Sequence, residues 1–227
     1  MTTSNQPLVP RLNGPWREAE MVVIDFETTA TDPKEARIVE VGAVAFKDGQ
    51  IIGALSKLVN PGIPVPEGAR AVHGITDEEL ADAGSFKDVL ADLYTVCECA
   101  MPMAYNEPYD RTVLHCELDR IGDYNADILA FDRKQTWIDP LVWVREFDKF
   151  VKGKGRNKLT VTAERYGIKL DNAHRAVADA EATMKVFMHI APKIDAITLS
   201  DLLEAQKVLA ANQEAEFARW RARKKGA

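Results

Sequence analysis

Two carboxylates one residue apart, Asp25 and Glu27, end the apolar run Met21-Val22-Val23-Ile24. A short apolar run with β-branched members predicts a buried strand, in which alternate side chains share a face. Asp25 and Glu27 therefore point one way and Phe26 the other. Two like charges at the end of a core strand are costly unless a cation lies between them. The strand alone leaves two readings open: a pair of solvated acids where the strand meets water, or half of a cation site.

Two further segments carry residues suited to the same chemistry. In Asn106-Glu107-Pro108-Tyr109-Asp110, Asn is a good N-cap and Pro is at home in a first turn, so a helix begins here with Asp110 about one turn in. In His174-Arg175-Ala176-Val177-Ala178-Asp179, the histidine and the aspartate are five residues apart. On one helix that spacing turns by about 140°, so the two share a site only if His174 precedes the helix or opens it. Taken singly, His174 also fits a surface or capping histidine, and Asp179 a solvated acid. Cys97, Cys99 and Cys116 are odd in number and lack Cys-x-x-Cys spacing, which suits free thiols rather than a disulfide framework or a zinc site.

The elements that must position these groups follow from periodicity and turn chemistry. After the first strand, residues 37–46 and 51–59 read as strands joined at Asp48-Gly49, a hairpin signal. Pro61, Gly62, Pro64, Pro66 and Gly68 predict a long loop ending at Val72-His73-Gly74-Ile75-Thr76. A helix over 86–99 leads to a fourth strand over 100–105, expected parallel to the first. Trp137-Ile138-Asp139 reads as a fifth strand, 141–150 as a short helix, and 159–166 and 176–190 as the last core helices. The domain plan is a flexible arm over residues 1–18, a core over 19–192 and a helical, basic tail over 193–227.

Lys plus Arg total 29 against 35 acids, a net charge of −6 that by itself speaks mildly against a nucleic-acid partner. Basic residues are nonetheless bunched: five of the ten from Lys149 to Lys158, and five of the seven from Arg219 to Lys225. Each run alone reads equally as solvated surface. No apolar run approaches membrane-spanning length, and the N-terminus lacks the basic-then-apolar order of a signal peptide, so a cytoplasmic protein is expected.

Together, Asp25, Glu27, Asp110 and Asp179 with His174 resemble the DEDDh family of 3′-to-5′ exonucleases, the DnaQ-like superfamily. Five motifs fall in family order: the first strand through Thr28-Thr29, then Ile38-Val39-Glu40-Val41-Gly42-Ala43, Val72 to Thr76, Asn106 to Asp110, and His174 to Asp179. Departures are Ala30 and Tyr109, where the family usually has Gly and Phe, and Tyr105, where it commonly has His. The resemblance implies a ribonuclease H-like α/β fold, a mixed five-stranded sheet flanked by helices, over about residues 20–190. It implies two divalent ions, Mg²⁺ or Mn²⁺, held by Asp25, Glu27, Asp110 and Asp179, with His174 taking a proton from water. It also implies substrate contacts from Thr28, Thr29, His73, Asn106 and Tyr109. The expected partner is the 3′ terminus of a nucleic acid, DNA in preference to RNA, with the tail available for a polymerase or for self-association. The rival readings are a 3′-to-5′ exoribonuclease and a polymerase-associated binding module.

Overall fold

A computed structural model of the chain describes residues 12–123, 125–170 and 173–225. Strands β1 (Met21–Thr28), β2 (Ile38–Lys47) and β3 (Gln50–Leu58) form an antiparallel meander. At its hairpin Asp48 and Gly49 both have positive φ, 49° and 73°, the primed turn geometry that matches strand twist. Helices α1 (Glu67–His73), α2 (Asp77–Leu80) and α3 (Phe86–Cys97) carry the chain across to β4 (Met101–Met103), which pairs with β1 in parallel as expected. The remaining helices are α4 (Glu107–Ile121), α5 (Pro140–Phe147), α6 (Leu159–Arg165), α7 (Ala176–Ile190) and α8 (Leu199–Lys225).

The result is a mixed α/β sheet flanked by helices, in strand order β3-β2-β1-β4. The expected fifth strand is reduced to a single parallel bridge between Ile138 and Met103. The Ile138 amide donates to the Pro102 carbonyl at 2.9 Å and the Ala104 amide donates to the Ile138 carbonyl at 3.1 Å. The ladder stops there because Asp139 already caps α5 and Pro140 has no N–H to donate.

Alternation along β1 divides the core in two. Val22, Ile24 and Phe26 pack with Leu93 of α3 and Leu114 of α4. Met21 and Val23 face the other way, with Phe187 of α7 and Val144 of α5. Asp25 and Glu27 continue this second face, so the carboxylates emerge beneath the start of α7.

Two further expectations change. The Pro/Gly-rich segment predicted as a loop holds α1, because Pro66 takes the N-cap position and Gly74 at φ 74° ends the helix; α2 follows directly, started by a capping box of Thr76 with Glu79. The flexible arm, of which residues 1–11 lie outside the described residues, does not extend through residue 18. Trp16 is 2% exposed, its indole donates to the Ala196 carbonyl at 2.8 Å, and its ring meets Phe187 edge-on. Leu199 and Leu202 at the start of α8 are fully buried. No helix among the described residues is long and apolar enough to cross a membrane.

Candidate active site

The brevity of β4 creates the opening. It pairs only with Met21, Val22 and Val23, so β1 beyond Ile24 has a free edge on that side. Asp110, buried in the first turn of α4, reaches this edge and accepts the Phe26 amide proton at 3.2 Å. One carboxylate is thus held between the two strand acids. Asn106 takes the expected N-cap position of α4, in a left-handed conformation (φ 69°), but its side chain makes no capping hydrogen bond. Its amide is instead held by Asp139 at 3.0 Å.

On the other face α7 delivers the remaining two groups. His174 lies before the helix, with φ 67°, and Arg175 is the N-cap residue. The backbone reverses at His174, so its amide donates to Asp179 Oδ2 at 3.3 Å. This satisfies the geometric condition that their spacing imposed. Glu27, His174 and Asp179 each offer a ligand atom, all within 4.8 Å of one another.

Two residues quoted only as part of a motif prove to set this geometry. Glu40, 1% exposed and opposite Glu27 in the sheet, accepts from Arg175 Nε and Nη2 at 3.1 and 2.7 Å and from the Ala176 amide at 2.9 Å. Gly42, opposite Asp25, lets α7 lie directly on the strand: a Cβ there would stand 2.2 Å from the Ala176 carbonyl carbon. A buried acid and a glycine two residues apart on one strand face were the visible signal, but their partners lie more than a hundred residues away.

Crowding has the electrostatic consequence expected of like charges. Burial, then Asp110, Asp179 and Glu27, push the Asp25 carboxyl well above its usual range. Burial and the coulombic effect of Asp179 raise Glu27 to about 8. Burial also raises Asp110 and Asp179, although the Phe26 and His174 amides oppose it. Asp179 Oδ1 is buried with no hydrogen-bond partner. Hard oxygen donors, mutual repulsion and an unsatisfied carboxylate oxygen fit a divalent cation.

The predicted substrate-contacting residues divide. The Tyr109 hydroxyl donates to the Ala30 carbonyl at 2.5 Å and lies 2.5 Å from the Thr28 hydroxyl, tying both to the turn after β1. His73 is buried at the end of α1 against the Thr28 backbone, where burial lowers its pKa and favours the neutral ring. Its Nδ1 accepts the Ile75 amide at 3.0 Å. Asn106 is exposed. Thr29 departs from this group: it is buried, and its hydroxyl accepts the Arg37 amide at 3.0 Å, closing the turn.

An exonuclease family model, RNase_T, matches residues 22–187. The PolC-type DNA polymerase III of Thermotoga petrophila is 27% identical over 89% of this chain and 14% of its own length. The 3′-5′ exonuclease DinG of Bacillus subtilis is 27% identical over 82% of this chain and 19% of its own. The chain thus spans less than a fifth of these relatives. Among solved structures, exonuclease X bound to 5′-overhanging duplex DNA superposes with TM-score 0.63 at 22% identity, covering 82% of this chain and 99% of that one. The nuclease domain of 3′hExo, a DEDDh family member bound to rAMP, gives TM-score 0.64 at 17% identity, covering 79% and 95%. These structural likenesses show the fold, and the family model spans most of the sequence from β1 through α7. With Asp25, Glu27, Asp110, His174 and Asp179 gathered around the free end of β1, the chain belongs to the RNase_T exonuclease family.

Proposed function

We propose that the protein hydrolyses nucleic acid from the 3′ end, releasing nucleotides in a reaction that depends on divalent metal. The observation that carries this reading is the convergence of Glu27, Asp179 and His174 within 4.8 Å, next to Asp25 and Asp110, at an open strand edge. Asp25, Glu27, Asp110 and Asp179 would hold two ions, Mg²⁺ or Mn²⁺, which supply charge neutralisation and an activated water when bound. The protein's own groups do the rest. His174, on an exposed reversal, takes a proton from the attacking water at an imidazole nitrogen. Asp179 accepts the His174 amide and so holds that reversal in place. Thr28 and Tyr109 fix the turn beside the acids, against which the terminal nucleotide would lie, and Asn106 faces solvent at the mouth.

DNA is the preferred substrate in this reading, and RNA differs only in contacts to the 2′-hydroxyl. Proofreading beside a polymerase is supported by relatives whose names are those of polymerases. The test is digestion of matched 5′-labelled single-stranded DNA, duplex DNA and RNA, each with Mn²⁺ and with EDTA. The expected result is metal-dependent shortening from the 3′ end, fastest on DNA, with circular single strands resistant. Equal cutting of circular and linear strands would replace the reading with an endonuclease.

A further inference from the structure

Helix α8 lies outside the residues that the exonuclease family model covers, yet it is fixed to the body beside the candidate active site. Gln206, 4% exposed, accepts the Asp139 amide at 2.7 Å and donates to the Trp137 carbonyl at 2.9 Å. One turn pair further on, Gln213 donates to the Val142 carbonyl at 2.9 Å. The Arg145 guanidinium lies 5.2 Å from the centre of the Phe217 ring. Beyond Phe217 the helix leaves the body, and its side chains are exposed.

Two connected hollows run along this helix. The inner one, about 580 Å³, extends from Tyr105 and Asn106, at the entrance to α4, to Lys152 and Phe217. The outer one, about 1090 Å³, shares Lys152, Gly153, Glu216 and Phe217 with it and continues to Trp220 and Lys224. Its wall carries five cations (Lys152, Lys154, Arg219, Arg223 and Lys224) against one acid, Glu216, in a protein of net charge −6. Among the described residues none of these five forms a salt bridge, whereas Arg221 on the same helix pairs with Glu214. Trp220 is 51% exposed, with the Lys224 ammonium 4.6 Å from its ring centre, and Phe217 is 40% exposed. The two basic runs of the sequence, about sixty-five residues apart, thus meet across one groove with aromatic rings between them.

We propose that this groove binds the single-stranded part of the substrate, upstream of the 3′ end, with the cations on phosphates and Trp220 as a stacking platform for a base. Exposed aromatics set in a basic channel are how proteins hold single strands without reading sequence. The groove is concave and its inner end is lined by Tyr105 and Asn106, which lead into α4 and Asp110, a shape that suits a strand better than a flat lipid surface. From Gln213 to Lys224, the part of α8 that lines the hollows, the helix rises about 17 Å, at about 1.5 Å per residue. A stacked strand at about 3.4 Å per nucleotide covers that in roughly five nucleotides. The proposal rests on the exonuclease reading for the identity of the strand, but its test reads binding separately.

The experiment uses the full chain, Trp220→Ala and the triple variant Arg219→Ala/Arg223→Ala/Lys224→Ala. All four positions are exposed on a helix, where alanine is well tolerated. Anisotropy of fluorescein-labelled dT20 and rU20 in EDTA reads binding without cleavage. Trp220→Ala should weaken dT20 binding about tenfold or more, from the loss of one stacked base. The triple variant should flatten the dependence of log affinity on log salt by about 2, from three lost phosphate contacts. Parallel losses on rU20 are expected, since stacking and charge do not read the sugar. In Mn²⁺, KM for dT20 should rise while cleavage of dT4 stays at the wild-type rate. Unchanged dT20 affinity and salt slope in variants that melt like the wild type would overturn the proposal. So would an equal loss on dT4, or a loss confined to anionic vesicle binding or to self-association. Loss of dT20 binding in the variants, with no cleavage by the wild type, would keep the groove and remove the exonuclease reading.

Discussion

His174 is the exposed member of the cluster, and its backbone sits at φ 67°, where most side chains are strained but asparagine is tolerated. Two substitutions therefore separate chemistry from conformation. His174→Asn should keep the melting temperature and its rise with Mn²⁺, yet lower kcat by about 10² to 10⁴, the usual contribution of a general base. His174→Ala should lose activity similarly and some stability as well. Asp25→Asn should abolish activity and sharply reduce stabilisation by metal, because it removes a negative charge and one of two carboxylate oxygens from the cluster. Calorimetry beside a kinetic assay checks both, and full kcat in His174→Asn would remove the imidazole from the proposed reaction.

At the scale of elements, the site depends on how closely α7 lies on β2. Gly42 makes that approach possible and the Glu40–Arg175 pair fixes the rotation of the helix start. Gly42→Ala inserts a methyl group into main-chain atoms that have no side-chain freedom to yield. The expected cost is about 1 to 3 kcal/mol, as for other overpacked interiors, seen as a lower urea midpoint. Because the displaced residues adjoin His174 and Asp179, kcat should fall more than stability alone explains. A variant with native kcat and native midpoint would show that α7 can shift at no cost.

At the scale of the whole molecule, the acid cluster couples stability to pH and to metal. Glu27 has an ordinary value of 4.5 and is raised to about 8 in the fold by burial and by Asp179. Between those values the native state holds a proton that the unfolded chain has released, so this group's contribution to stability falls as pH rises through that window. Asp25, Asp110 and Asp179 are raised too and act in the same direction. Bound metal favours the ionised acids and removes this penalty. The gap in melting temperature between Mn²⁺ and EDTA samples should therefore be small near pH 5 and widen toward pH 8. A gap independent of pH would mean that the cluster is not where the metal binds. His115 works in the opposite sense: burial lowers it to about 4, so it destabilises the fold only as acid protonates it in the unfolded chain. Comparing samples at equal pH cancels that effect.

Much of this protein was legible from local signals. Alternation put Asp25 and Glu27 on one face, Asp48-Gly49 marked the hairpin, and the apolar period of α7 gave its ends at Ala176 and Ile190. Those features depend on residues within a turn or two of one another, so the chain itself carries them. Tertiary structure decided the rest. Proline and glycine between 61 and 68 concealed α1, because Pro66 is as compatible with a helix start as with a loop. Trp137-Ile138-Asp139 has strand character but supports only one rung, because its successor begins a helix. Trp16 lies in a polar segment and is buried only because Phe187 and Ala196 receive it. Glu40 meets Arg175 across 135 residues, and Lys152 meets Arg219 across one groove. No period or turn motif encodes such pairings, since they exist only once the sheet and its covering helices have brought distant side chains into one place.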